Sequence, residues 1–163
     1  MFWLLAFGAV ILICFAGVIL VGAPYLPTLT PQVRTAIDIA RLKKGQTMLE
    51  LGCGDGKILV AAAQKGIYVI GYELNPFLVA IAWLRTRKYK KYVHIIWGNY
   101  WAIEWPKADA IFVFLLPKYM DKLDKKCMQY SYRPVKLISF AFTVPARKPT
   151  QEANGVFVYT YKS

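Results

Sequence analysis

The sequence predicts an α/β fold with a doubly wound, mostly parallel sheet, preceded by one long apolar helix. Three observations carry that expectation. From residue 47 onward, short apolar runs alternate with helical patterns, the arrangement that places helices on the faces of a parallel sheet. Glycines at every second position in Glu50-Leu51-Gly52-Cys53-Gly54-Asp55-Gly56 join the first apolar run to the first helical pattern. No charged residue occurs from Phe2 to Ala23.

Taken in order, residues 2–23 would rise about 33 Å as a helix, enough for a hydrocarbon core of about 30 Å. They are expected to form a transmembrane anchor (1–23). The first basic residues, Arg34, Arg41, Lys43 and Lys44, all follow the apolar run. The positive-inside rule then predicts a single-pass membrane protein with its C-terminal domain in the cytoplasm. Residues 24–46 read as a Pro-rich connector and a helix, starting at Thr30-Pro31 and ending at Lys44-Gly45. The remaining 47–163 form the α/β domain. Its strands are expected at 47–51, 68–73, 93–97, 110–115, 135–142 and 156–161. Its helices are expected at 57–65, from Pro76 into the basic run, and over roughly 118–130. Few residues follow the fifth strand, so the sheet is expected to have six strands and at most a stub of a seventh.

The acid-ended strand and its glycine turn carry the chemistry. Glycines let the backbone bend sharply and approach a ligand, and the free N–H groups opening the next helix favour negative charge. A dinucleotide fingerprint would read G-x-G-x-x-G; here the third glycine comes one residue early. The second strand, Tyr-Val-Ile-Gly-Tyr-Glu, ends in Glu73, at a distance from the glycines that suits an acceptor for a ribose diol. Asn75 reads either as an adenine-edge partner or as a helix N-cap before Pro76. Trp101 and Trp105 either line the pocket or pack.

This pattern resembles motif I of the class I S-adenosylmethionine-dependent methyltransferases. The ordered set Pro24-Tyr25-Leu26-Pro27-Thr28, Lys44-Gly45, Glu50–Gly56, Gly71-Tyr72-Glu73-Leu74-Asn75-Pro76 and Phe114-Leu115-Leu116-Pro117 is similar to a narrower family. These are the small membrane-associated protein-lysine methyltransferases that modify the ATP synthase c subunit and the adenine nucleotide translocase. The resemblance implies a Rossmann-like methyltransferase sheet with a reduced C-terminal hairpin. It also implies S-adenosyl-L-methionine as methyl donor, S-adenosyl-L-homocysteine as product, and no metal. It assigns cofactor binding to Glu50, Gly52, Cys53, Gly54, Asp55, Gly56, Glu73, Leu74, Asn75, Asn99, Tyr100 and Phe114. The acceptor side falls to Tyr25, Thr28, Leu115, Pro117 and Tyr119, with backbone carbonyls of Leu115 and Leu116 orienting the amine. Asn99 stands where such enzymes more often carry Asp.

Composition bounds the partners. The net charge is +12, and the densest basic run is Arg85-Thr86-Arg87-Lys88-Tyr89-Lys90-Lys91. It reads as a contact for anionic lipid headgroups or as a solvated face. Nucleic acid is disfavoured, because no recognition motif accompanies the charge. One histidine and three scattered cysteines give no metal-ligand or disulfide spacing. The expected activity is methylation of a lysine in a membrane protein. The alternatives are methylation of a lipid or small amphiphile, and a non-catalytic cofactor-binding scaffold.

Overall fold

The computed structural model describes residues 2–6, 8–9, 30–145 and 147–162. Helix α1 (Thr30–Ala40) precedes β1 (Thr47–Leu51), α2 (Lys57–Gln64), β2 (Tyr68–Glu73) and α3 (Pro76–Thr86). Then come β3 (Val93–Trp97), β4 (Ala110–Val113), α4 (Met120–Met128), β5 (Val135–Phe140), β6 (Gln151–Ala153) and β7 (Val156–Tyr161). Short 3-10 turns at Arg87–Tyr89 and Pro117–Tyr119 extend α3 and introduce α4.

The strands form one sheet in the order β3-β2-β1-β4-β5-β7-β6. The first five run parallel, and β7 is antiparallel to both β5 and β6. The seventh strand expected only as a stub is therefore a short but paired β6. Asn154 and Gly155, at φ 50° and 72°, supply the left-handed turn that lets so few residues close the hairpin. The fourth and fifth strands each stop two residues earlier than expected; beyond the ladder the Phe114 ring packs on Phe140 and Phe142.

Strand side chains alternate between two cores. Met48, Phe112, Ile138 and Val158 face α1 and α2, meeting Val33, Ile37, Ile58, Leu59 and Ala62. The helix assigned to the connector is thus packed on the domain itself. Leu49, Ile111, Leu137 and Tyr159 face the other way, onto α4 through Met120, Leu123 and Cys127. Beside α4, the chain between β3 and β4 contains no helix. Trp105, together with half-buried Tyr100 and Trp101, closes that face instead.

The single-pass membrane placement is corrected. Among the described residues no helix is long and apolar enough to cross a membrane. Residues 2–6 and 8–9 are helical, but five residues rise only about 8 Å. Residues 10–23 lie outside the described residues, as do Tyr25 and Thr28.

Candidate active site

The parallel strands bring Glu50, Glu73, the β3 exit and the β4 exit to the same edge of the sheet. Glu50 is in register with Gly71 of β2 and Phe112 of β4. At the end of β1 the backbone turns under β2: the N–H groups of Gly52 and Cys53 both donate to the Tyr72 carbonyl, at 2.8 Å. Gly52 has φ +87°, and a Cβ there would meet nothing within 4 Å. Its glycine is required by backbone angle and leaves an open cradle above the turn.

The other glycines solve packing problems. A Cβ on Gly56 would lie 3.1 Å from the Ala82 Cβ and 3.2 Å from its Cα, so Gly56 lets α2 begin against α3. A Cβ on Gly71 would lie 3.0 Å from Cys53 and from Leu59. Gly71 therefore makes the space into which Cys53 seats the turn. The resemblance named Cys53 among the cofactor residues but gave Gly71 no role. Its position as the only small residue in an otherwise bulky strand was the available signal.

Glu73 holds the turn in place. Its Oε2 accepts from the Gly54 N–H at 2.9 Å, and its Oε1 accepts from Leu74 at 2.9 Å and Asn75 at 2.8 Å. A carboxylate offers about four acceptor sites, so three are filled by backbone and about one remains for a ligand hydroxyl. Leu74 contributes backbone here, and its carbonyl accepts from the exposed Trp97 indole at 2.9 Å. Asn75 is the N-cap of α3: its Oδ1 accepts from Phe77 at 2.9 Å. Asp55 is paired with Arg85 and, at 3.6 Å, with Lys57. The Arg85 guanidinium also donates to the Asp55 carbonyl at 2.8 Å, which latches the turn to α3.

Two buried polar atoms point to a ligand. Glu50 Oε2 and Asn75 Nδ2 are buried without a hydrogen-bond partner. Burial, then the charges of Asp55 and Glu73, push the Glu50 carboxyl well above the ordinary carboxylate range. Burial, then the charges of Glu50 and Glu73, push the Cys53 thiol well above its ordinary value. The two orphaned atoms, the spare acceptor capacity of Glu73 and the open cradle at Gly52 fit a molecule bearing an amino group, a ribose diol and a hydrogen-bonding base. S-adenosyl-L-methionine has those groups.

The remaining expected residues are placed unevenly. Asn99 Oδ1 accepts from the Trp101 N–H at 2.9 Å, so it already caps its own turn. Tyr100 lies near Glu73, and its hydroxyl is held well above the usual tyrosine range, first by burial and then by the charge of Glu73. Phe114 packs on Phe140 and Phe142, with ring centroids 4.6 and 6.4 Å away. The Leu115 side chain is core, Pro117 is exposed, and half-buried Tyr119 packs against Trp101 at 6.2 Å. The Leu116 carbonyl accepts from the Tyr119 N–H at 3.0 Å.

Comparison with known proteins agrees with this geometry. Residues 50–151 match the family model described as the ANTKMT methyltransferase domain. The human lysine N-methyltransferase of the ATP synthase c subunit is 30% identical over 130 residues, covering 77% of this chain and 54% of that protein. The mouse adenine nucleotide translocase lysine N-methyltransferase is 30% identical over 129 residues, covering 77% and 56%. A protein-lysine N-methyltransferase of Saccharolobus islandicus is 27% identical over 133 residues, covering 78% and 82%. The chain thus spans about half the length of its human and mouse relatives. A Salinibacter ruber RNA methyltransferase, solved with S-adenosyl-L-homocysteine, superposes with a TM-score of 0.78 at 24% identity, covering 84% of this chain and 94% of that one. That likeness shows the fold. Acid-ended strands, glycine turn and sheet order together account for what the family match states: this chain belongs to the ANTKMT methyltransferase-domain family, within the class I S-adenosylmethionine-dependent methyltransferases.

Proposed function

We propose that the protein is a protein-lysine N-methyltransferase using S-adenosyl-L-methionine, with a membrane-associated protein as substrate. One observation carries the cofactor assignment: Glu50 Oε2 and Asn75 Nδ2 are buried and unpartnered beside a glycine cradle that Glu73 holds in shape. The relatives' names, which specify a lysine of the ATP synthase c subunit and of the adenine nucleotide translocase, support the acceptor assignment.

When bound, the cofactor supplies a methyl group on a positively charged sulfur; the amine lone pair forms the new C–N bond as the C–S pair leaves to sulfur. The chain's own residues act by placement. Glu73, rigid through its three backbone donors, offers its remaining lone pair to a ribose hydroxyl. Glu50 and Asn75 hold the polar ends of the ligand. Gly52 lets the backbone come close. The aromatic segment 100–105 and the Phe114–Tyr119 turn shield the reacting edge from water, which favours the neutral form of an acceptor lysine. No side chain has to act as a general base during transfer: the ammonium loses its proton to solvent before the methyl group moves, and the methylated product carries the positive charge that leaves the sulfonium.

The exposed cations Arg87, Lys88, Lys90 and Lys91 fit a substrate presented beside anionic headgroups. Lysine is preferred to a lipid or small-amphiphile acceptor because three named relatives are lysine enzymes. The test is incubation of the full chain with labelled S-adenosyl-L-methionine and host membranes. Label recovered as methyllysine after acid hydrolysis is expected. Label recovered only in extractable lipid would overturn the acceptor assignment.

A further inference from the structure

An aromatic surface lies at the site's edge. Trp101 lies between Tyr100, at 5.0 Å between ring centroids, and Tyr119, at 6.2 Å. The Lys122 ammonium sits 4.5 Å over the Trp101 ring, and that of Lys118 sits 4.9 Å over the Tyr119 ring. The platform is held from behind. The Trp105 indole donates to the Tyr100 carbonyl at 2.8 Å, and the Lys126 ammonium donates to the carbonyls of Trp101 at 3.3 Å and Ile103 at 2.7 Å.

Its location is fixed at both ends. The Gly98 N–H donates to the Glu73 carbonyl at 2.9 Å, so the loop leaves β3 beside the ribose acceptor. Tyr119 closes the 3-10 turn that follows β4. The rings therefore bridge the cofactor side and the acceptor side of the same edge. A ring face that already holds a lysine ammonium is chemically suited to a second one.

Resting on the lysine reading above, we infer that Trp101, flanked by Tyr100 and Tyr119, is a receptor for the acceptor's alkylammonium group, and that Lys122 is the resident cation it displaces. The exchange favours methylated over unmethylated ligands. A primary ammonium is strongly hydrated, whereas a methylated one gives up less water on reaching the ring. The platform would then retain a partly methylated lysine between rounds and carry the acceptor beyond one methyl group. In this scheme Trp101 contacts the acceptor's ammonium, and Lys122 is a positioning residue that acts through Trp101.

The experiment titrates the full chain with Nα-acetyl-trimethyllysine amide and with its neutral isostere, in which carbon replaces the charged nitrogen. Isothermal calorimetry is the readout, with and without S-adenosyl-L-homocysteine. Wild type is expected to prefer the cation. Trp101→Ala should weaken it by about five- to thirtyfold, Trp101→Phe should keep part of the affinity, and Lys122→Gln should tighten it severalfold. Calorimetric affinity for S-adenosyl-L-homocysteine should be unchanged in Lys122→Gln. Equal binding of cation and isostere, or wild-type affinity in both Trp101 variants, would overturn the receptor. Failure of wild type to bind S-adenosyl-L-homocysteine would count instead against the methyltransferase reading, since the titration without it still reports on the rings.

Discussion

At the residue scale, Glu73 does two jobs, and they predict one phenotype. Glu73→Ala removes the acceptor for three backbone N–H groups as well as the lone pair proposed for the ribose. Cofactor affinity should fall by about 1.5–3 kcal/mol, the range for hydrogen bonds to charged groups, as read by calorimetry. Glu50 carries the pH dependence. Its folded-state carboxyl is held well above the ordinary value by burial, so the folded chain prefers it protonated. Its contribution to stability is therefore complete below the unfolded pKa of about 4.3, and is lost as pH rises through the folded value. Glu50→Gln should flatten that decline and make the ligand-free protein more stable than wild type near neutrality, while weakening cofactor binding. Denaturant melts across pH check this; a parallel decline in both proteins would count against it. Gly71→Ala places a methyl 3.0 Å from Cys53 and Leu59 and should destabilise by about 1–3 kcal/mol.

Among the elements, those with a strong local signal were legible and those defined by a distant partner were not. The short apolar runs Thr47–Leu51 and Tyr68–Glu73 placed β1 and β2 within the structure's own bounds. Asn75-Pro76 announced the start of α3, and the structure selects the N-cap role for Asn75 Oδ1, with its Nδ2 buried and unpartnered. β6 was missed because three residues carry no periodicity; only pairing with β7 makes them a strand. The role of Asp55 was hidden for the same reason, since Arg85 lies thirty positions away and meets it only once α3 packs on the turn. Another distant group fixes the C-terminal part of the domain: Asp124 of α4 accepts from Arg147 and from the Tyr161 hydroxyl, with the guanidinium 4.7 Å over the Tyr161 ring. Asp124→Ala leaves the buried hydroxyl without its acceptor. It should cost about 1–3 kcal/mol in denaturant unfolding, and Asp124→Asn, which retains an acceptor oxygen, should cost less.

Over the whole molecule, sequence and structure agree on the sheet that positions the site and diverge over what surrounds it. The order β3-β2-β1-β4-β5 puts four strand exits side by side, as required for Glu50, Glu73, Asn99 and Phe114 to share an edge. Apolar length alone suggested a membrane crossing, but the described residues contain no helix able to make one. Composition gave a charge of +12 without a destination. The structure adds that Arg87, Lys88, Lys90 and Lys91 are exposed at the end of α3, away from the pairing that occupies Arg85. The central claim is that this edge binds S-adenosyl-L-methionine. Isothermal titration of the folded chain with S-adenosyl-L-homocysteine tests it most directly. One site per chain, weakened in Glu73→Ala, is the predicted result. A folded wild-type protein that takes up no ligand would contradict it.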